Sequence, residues 1–474
     1  MHDQMANKSR RDVLTGLATA SIASGFSKVT RANQAASSPN IIFIMADDLG
    51  YADLGAYGQT MFKTPNIDKL ASQGLSLSQA YSNSAVCSAT RVALMTGRYQ
   101  YRLRVGLEEP IGPTDKHIGL PPEENTLPKE LKKIGYKTAL IGKWHLGYPP
   151  EFSPLKSGYD EFYGNHGGAI DYFSHKGFSA KYDGIYRGKN PIDEQGYYTQ
   201  LLEANAKDYL SKHVGNEPFF LSLHFTAPHW PWEGPHDLEE SKKLKSLFHY
   251  DGGSLETYGK MVEALDASIG SVLVELENRG LADNTIVIFT SDNGGERFSK
   301  NWPFSGQKTE LLEGGIRVPA IIRWPHKIVG NKWCDQVSIT MDWVPTLLSA
   351  TGTLPLHNAS YDGIDLLQIL KGERQPMSRK LFWRYKANDQ RAHRDSNLKY
   401  LKIGENEFLF DVKADERERA NLKERFPDKF ELLKSQWERW NADMMPITEE
   451  VQTHWVKSKH QADHFNPDLE EKNK

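Results

Sequence analysis

Cys87 opens the stretch Cys87-Ser-Ala-Thr-Arg91-Val-Ala-Leu-Met-Thr-Gly-Arg98, in which Val92, Leu94 and Met95 carry helical spacing. A cysteine so placed sits at a helix N-terminus, where unpaired amide N–H groups and the helix dipole favour an oxyanion, with Arg91 and Arg98 on the following turns. The same residues also read as a buried structural cysteine beside two surface arginines. Elsewhere, carboxylates come in pairs. Asn40-Ile-Ile-Phe-Ile-Met45 is a continuous apolar run, as in a parallel strand buried on both faces, and it leads into Asp47-Asp48. Asn284-Thr-Ile-Val-Ile-Phe-Thr-Ser291 repeats the theme and ends in Asp292-Asn293-Gly-Gly295. Like charges side by side at strand C-termini lie where open α/β sheets bind ligands, and a hard divalent cation relieves their repulsion.

Other strand-like runs deliver cations. Tyr136 to Gly142 leads into Lys143-Trp-His145, and Pro218 to Phe225 leads into Thr226-Ala-Pro-His229-Trp230-Pro-Trp232. Positive groups beside strand ends suit an anionic substrate. His224, inside the second run, reads as a core histidine. Between these runs lie helices, one capped by Thr64-Pro65 and closed by Gly74, one from Thr126 to Gly135, and a long amphipathic one from Leu255 to Leu281. The segment from Gly158 to Gly188, with Tyr163-Gly-Asn-His166-Gly-Gly-Ala-Ile-Asp171, has no sustained period and reads as part of a substrate-pocket wall, or as a surface excursion packed by its own aromatics. His166 and Asp171 in this segment, and Trp230 beside His229, are substrate-binding candidates. Past Gly372 come short segments at Lys380–Tyr385, Asn397–Ile403 and Phe408–Val412, then a charged helix from about Arg417 to Ala442. They predict a small antiparallel sheet with a packed helix, and a polar, poorly ordered stretch after Thr448.

The Cys87 stretch resembles the signature of the formylglycine-dependent sulfatases: Cys or Ser, any residue, Pro or Ala, any residue, Arg, then Thr-Gly-Arg. Gly142-Lys-Trp-His-Leu-Gly147, Ala227-Pro-His229, the Asp292 turn and Glu313-Gly-Gly-Ile-Arg317 resemble further segments of that family, in order, from residue 40 to about 370. The resemblance implies an alkaline-phosphatase-like α/β fold, with a large mostly parallel sheet flanked by helices and a small C-terminal antiparallel sheet with a helix. It implies that Cys87 is oxidised to formylglycine, whose hydrate is the nucleophile, and that Asp47, Asp48, Asp292 and Asn293 hold a calcium ion that also contacts residue 87. Lys143 and Lys308 would clamp the sulfate. Lys308 or His229 would protonate the leaving oxygen, and Arg91 and His145 would orient and deprotonate the hydrate. Ala89 stands where Pro is usual and Thr90 where Ser is usual. The oxygen-dependent formylglycine-generating enzyme prefers Pro there, while the anaerobic sulfatase-maturating enzyme accepts Ala, so the maturation partner is left open.

The 474 residues, 39% hydrophobic and 25% charged, suit one large core and a smaller appended unit. Ser9-Arg-Arg-Asp-Val-Leu14, the weakly apolar run to Phe26 and the small residues around Ala32 to Ala36 read as a twin-arginine export signal, hence a periplasmic protein. The expected organisation is therefore a signal peptide at 1–35, a catalytic domain at 36–372 and a C-terminal subdomain with polar tail at 373–474. Loss of the signal removes five Lys/Arg and two Asp, taking the net charge from −3 to −6 and arguing against a nucleic-acid surface. No transmembrane span is expected. Two cysteines, Cys87 and Cys334, do not make a disulfide framework. The leading expectation is a calcium-dependent sulfatase acting on sulfated oligo- or polysaccharides, Trp230 and Trp232 offering aromatic faces to a sugar. A phosphate or phosphonate ester hydrolase of the same superfamily and a non-catalytic sulfated-glycan-binding protein are the alternatives.

Overall fold

The computed structural model describes residues 38–461, apart from 114–116, 179–183, 214–216, 354–359 and 456–459; the stretch read as an export signal lies outside the described residues. A ten-stranded sheet runs in the order Lys332–Cys334, Leu75–Leu77, Ala320–Arg323, Thr285–Ser291, Asn40–Ala46, Phe219–His224, Lys137–Gly142, Glu161–Gly164, Ile185–Arg187, Asn190–Ile192. The five central strands, from Thr285–Ser291 to Glu161–Gly164, are parallel. Every residue of Asn40–Ala46, Phe219–His224 and Thr285–Ser291 is buried, as continuous apolar strands covered on both faces must be. Two apolar layers cover the sheet. One holds the Leu255–Asn278 helix with Met261, Leu265, Ile269, Val272 and Leu276. The other holds Val92, Leu94 and Met95 of the Cys87–Thr96 helix.

Register is what assembles the site. Ala46 pairs with Ser291, and Met45 and Gly142 both pair with His224, so Asp47, Asp292, Lys143 and Phe225 leave the sheet at one edge. Gly142 makes this possible: its φ is +118°, and a Cβ there would stand 1.8 Å from the His224 carbonyl oxygen.

Lys380–Tyr385, Gln390–Asp395, Leu398–Ile403 and Asn406–Asp411 form a four-stranded antiparallel meander. The second of these was not foreseen, because Gln-Arg-Ala-His-Arg-Asp reads as polar although Ala392, His393 and Arg394 are buried. The helix behind the meander is Pro427–Ala442, shorter than the predicted Arg417–Ala442. Pro427 fits the first turn, and the chain before it makes turns instead, with Asn421 Oδ1 accepting from the Leu409 amide. The expectation of a poorly ordered chain after Thr448 needs correction for residues 449–455; most of the rest of that stretch lies outside the described residues. Gln452 accepts from and His454 donates to the Glu109 backbone, and Val451 is buried.

The meander meets the large sheet across a buried ion cluster. Lys399 Nζ lies 3.0 Å from Glu313 and 2.8 Å from Glu418, and Arg317 lies 3.1 Å from Glu313; Lys399 and Glu313 are fully buried. Removing one member strands a charge that water cannot reach. Lys399→Met is expected to destabilise the protein by about 3–5 kcal/mol, read as a lowered unfolding midpoint in urea. An unchanged midpoint would show that the two glutamates are not held by this lysine. No helix among the described residues is long and apolar enough to cross a membrane.

Candidate active site

Cys87 is the first residue of a ten-residue helix, all of it buried, whose first turn receives no side-chain cap. Its side chain lines a cavity of about 220 Å³, together with Glu109, Ile111, His145, His229, Trp230 and Lys308. Burial pushes the thiol up to about 11, with Lys143 opposing the shift. A thiol nucleophile requires the reverse shift.

Beside Cys87 the two acidic turns face each other. Arg91 donates to Asp292 Oδ2 from Nε (3.1 Å) and Nη2 (2.8 Å), and from Nη1 to the Lys143 carbonyl (3.1 Å); its Nη2 is 3.7 Å from Asp47. Lys143 Nζ donates to Asp47, Lys308 Nζ to Asp48 Oδ2 at 2.7 Å, and Asn293 Nδ2 to Asp48 Oδ1 at 2.7 Å. All of these side chains are buried.

Burial, then the charge of Asp292, raises Asp47 well above the usual carboxylate range; burial raises Asp48 against the pull of Lys308. Such a set calls for more positive charge. Asp47, Asp48 and His229 form one group of potential ligand atoms and Asp47, Cys87 and Asp292 another, each within 4.8 Å. Asp47 Oδ1 and Asn293 Oδ1 are buried acceptors with no hydrogen-bond partner. Oxygen-rich donors with orphaned acceptors fit a hard divalent cation.

The proton-handling groups divide by environment. Burial lowers His229 well below its usual range, reinforced by Lys308 and Lys143, so its ring is neutral; Nδ1 lies 2.7 Å from the Trp230 carbonyl and Nε2 3.6 Å from Asp48. Burial likewise keeps His145 neutral, with Nε2 3.1 Å from the Ile111 carbonyl. Lys308 is driven the other way. Burial opposes its charge, but Asp48 and Glu296 hold it well above the usual lysine range.

Two of the substrate-binding candidates stand apart from the cavity. The ring of His166 packs between Phe162 (4.9 Å) and Tyr186 (4.7 Å), and only its backbone serves the site, accepting from the His145 amide. Asp171 accepts from the Phe173 and Ser174 amides and the Ser241 hydroxyl. Trp230 does line the cavity, whereas Trp232 is buried beneath Phe298 and Arg297. His224 is buried, with Nδ1 3.3 Å from Arg91.

Sequence reading missed Glu296. It accepts from the Trp230 indole at 3.0 Å and lies 3.6 Å from Lys308; its one signal is a carboxylate immediately after Gly295. It also missed Glu109 and the 452–454 segment, which line the cavity far apart in sequence.

Glu109 is a buried carboxyl that accepts from the Lys386 amide and the Thr453 hydroxyl, and burial raises it to about 8. Folding therefore favours its protonated form between the ordinary range near 4.5 and about 8, and stability falls as pH rises through that window. The depressed histidines oppose this only below their unfolded value of about 6.5. From about pH 6.5 to 8 the midpoint of thermal unfolding is expected to decline, with Asp53, Glu233 and Glu418, raised by burial to about 7, 9 and 7, contributing beside Glu109, so Glu109→Gln should make that decline shallower without removing it. An equally steep decline in the variant would exclude Glu109 as a contributor.

A large, mostly parallel sheet whose central strands end in buried acids and cations is the layout of the alkaline phosphatase superfamily, and the solved structures agree. That of Ps i-CgsB superposes with a TM-score of 0.80 at 29% identity, covering 90% of this chain and 97% of that one. The phosphonate monoester hydrolase of Agrobacterium radiobacter shares the fold, with a TM-score of 0.62 at 18% identity over 88% of this chain and all of that one. Residues 39–353 match the sulfatase family model, and the chain belongs to the sulfatase family. Mouse (Mus musculus) N-acetylgalactosamine-6-sulfatase is 35% identical over 374 residues, 74% of this chain and 69% of that protein. The protein is a sulfuric ester hydrolase.

Proposed function

We propose that this enzyme hydrolyses sulfate esters on oligo- or polysaccharides, with residue 87 as nucleophile in its formylglycine form and a calcium ion held by Asp47, Asp48, Asp292 and Asn293. The observation that carries this reading is the charge of the pocket. Counted with their carboxylates ionised, as a bound cation would hold them, Asp47, Asp48, Asp292 and Glu296 face Arg91, Lys143 and Lys308, leaving one negative charge among them with the histidines neutral. A bound dication turns that into one positive charge. A sulfate monoester carries one negative charge and a phosphate monoester about −1.5 to −2 at neutral pH, so the balance favours the sulfate.

The roles of the remaining residues follow from their surroundings. Lys143 and Lys308, now bonded to Asp47 and Asp48, would present their ammonium groups to the sulfuryl oxygens. Lys308 is the charged group among the two donor candidates, so it is the one holding a proton for the departing sugar oxygen. Neutral His145 would accept a proton from the nucleophile, and Arg91, fixed by Asp292 and the Lys143 carbonyl, would hold the base of the pocket. The formylglycine hydrate supplies a second hydroxyl through which sulfate can leave without water attacking sulfur. A calcium ion held by Asp47, Asp48, Asp292 and Asn293 would supply positive charge to the pocket.

The carbohydrate part rests on Trp230 at the cavity wall and on the relatives, one called an N-acetylgalactosamine-6-sulfatase and the other crystallised as Ps i-CgsB with k-i-k-neocarrahexaose. We read the unpaired cysteine count and the N-terminal twin-arginine stretch as those of an exported, periplasmic enzyme whose residue 87 is matured before export. We also read residues 36–372 as the catalytic domain and 373–474 as the subdomain that backs it.

The test is sulfate release from defined oligosaccharides of the carrageenan, fucan, ulvan, chondroitin and heparin classes, beside aryl sulfates and the matching phosphate esters. Glycan sulfates are expected to turn over fastest. Aryl sulfates cleaved far faster than every glycan would remove the carbohydrate assignment, and phosphate esters cleaved fastest would remove the sulfate assignment.

A further inference from the structure

Three cations stand in a row across the C-terminal meander. Arg384 of Lys380–Tyr385 pairs directly with Arg391 of Gln390–Asp395, and Arg391 pairs with Lys402 of Leu398–Ile403. Residues directly opposite on antiparallel strands point to the same face with Cβ atoms about 5 Å apart, and like charges so placed repel. One carboxylate serves the row. Asp389 accepts from Arg391 Nε at 3.2 Å and Nη2 at 3.1 Å, and from Lys402 Nζ.

Arg384 is left without a counterion. It is 4% exposed, and its Nη1 and Nη2 donate to neutral acceptors, Asn441 Oδ1 at 2.6 Å and the Met445 carbonyl, while its Nε is buried with no hydrogen-bond partner. The acid whose charge reaches it is Glu109, which burial raises to about 8 and so keeps protonated at neutral pH. A buried guanidinium that no carboxylate balances is costly, and an anion relieves it.

The structure provides room for one. Arg384 and Arg391 line a cavity of about 510 Å³, distinct from the catalytic one, between the meander and the end of the Pro427–Ala442 helix. Lys386 is its third cation and Asp389 its one acid, a balance of +2. Lys386 Nζ is spent on the Thr448, Glu449 and Val451 carbonyls and contributes charge alone. Arg391, held with its guanidinium 4.9 Å from the Trp437 ring centre, keeps Nη1 without a protein partner among the described residues. The far side of this strand end faces the catalytic cavity. The Tyr385 hydroxyl donates to the His454 carbonyl at 2.6 Å and the Lys386 amide to the Glu109 carboxyl at 2.7 Å, and both Glu109 and His454 line that cavity.

We propose that this cavity is a second anion site, which takes a sulfate-type oxyanion between Arg384 and Arg391, either the inorganic sulfate that the reaction releases or a sulfate group still carried by a glycan. Guanidinium groups suit such an anion because their N–H groups match its tetrahedral oxygens.

The test first locates the anion and then asks what carries it. Crystals of the full-length enzyme soaked in selenate, whose anomalous scattering marks the ion, are expected to show a peak between Arg384 and Arg391 as well as one in the catalytic cavity. In solution, sulfate is compared with chloride at equal ionic strength in a Lys308→Ala background, which weakens anion binding in the catalytic cavity. Sulfate is expected to raise the unfolding midpoint, and Arg391→Gln added to that background should need about tenfold more sulfate for the same rise. The Arg391 side chain is 31% exposed, so this variant keeps the fold, which circular dichroism would register. The general stabilisation that sulfate gives any protein acts on both proteins alike and cancels. A sulfated oligosaccharide acting at lower concentration than inorganic sulfate assigns the site to glycan-borne sulfate, and inorganic sulfate acting better assigns it to the released product. A selenate peak in the catalytic cavity alone overturns the proposal. So does an unchanged sulfate response in Arg391→Gln, or an unsulfated oligosaccharide that stabilises as well as the sulfated one.

Discussion

Cys87→Ala is expected to lower sulfate release by at least about 10⁴-fold while leaving the fold intact, because on the proposed mechanism it removes the nucleophile. The side chain points into the cavity, so truncation costs little packing. The more informative result concerns the wild-type residue. With burial holding its thiol at about 11, only about one molecule in ten thousand would carry a thiolate at pH 7. Nothing at the head of the helix compensates, since the carboxylates of Asp47 and Asp292 add to the shift that Lys143 and Lys308 oppose. An active enzyme with this residue unmodified would contradict that balance. The tryptic peptide 70–91, from protein made in a host with an anaerobic maturating enzyme, is therefore expected to carry an aldehyde in place of the thiol, in proportion to specific activity. A host having only the oxygen-dependent enzyme is expected to convert less, because of Ala89. Cys87→Ser tests the exit step separately. Its single hydroxyl can accept the sulfuryl group but lacks the second through which sulfate would leave, so at most one turnover and a sulfated protein are expected. A fully active enzyme with an intact thiol would sink the mechanism.

The parts of the site that sequence made legible are those fixed by strand ends. Strands buried on both faces must be unbroken apolar runs, so the change of polarity at Asp47, Lys143 and Asp292 marks the sheet edge without ambiguity, and register brings those residues together. His166 and Asp171 had no such marker. Polar residues in an irregular segment can face a pocket or a core, and these two satisfy a ring stack and a turn. The Gln390–Asp395 strand was hidden because its buried positions are filled by paired polar groups, Arg394 among them, whose partners lie far away in sequence. The same holds for the C-terminal segment. Its place at the cavity mouth depends on backbone bonds to Glu109, which leave no trace in side-chain patterning. Glu296 was the one missed residue beside a recognised turn. Its partners, Trp230 and Lys308, were each visible, but their convergence was not.

Asp292→Ala is expected to cost both metal and catalysis, by about 10³-fold or more in kcat/KM. Asp292 has two duties that no neighbour duplicates. Its Oδ2 accepts two of the hydrogen bonds that fix Arg91, the third going to the Lys143 carbonyl, and its Oδ1 accepts from the Asp48 amide at 3.3 Å, which holds the two acidic turns in register. Asp48 has a φ of +61°, a conformation that a non-glycine residue keeps only when its surroundings impose it. On the proposed calcium site, loss of the carboxylate would remove one ligand and one charge and also free the turn carrying a second. Affinity in oxygen-ligand sites follows ligand and charge count, so calcium content by elemental analysis should fall along with activity. Asp292→Asn separates the two duties. The amide keeps an oxygen for one of the bonds but carries no charge, so it is expected to bind calcium more weakly and to regain part of its activity as calcium is added. Asp292→Ala should regain little, because Arg91 stays loose whatever the metal concentration. If Asp292→Ala retained stoichiometric calcium and wild-type turnover, the metal would have to lie elsewhere, and the facing acids at 47, 48 and 292 would need another explanation.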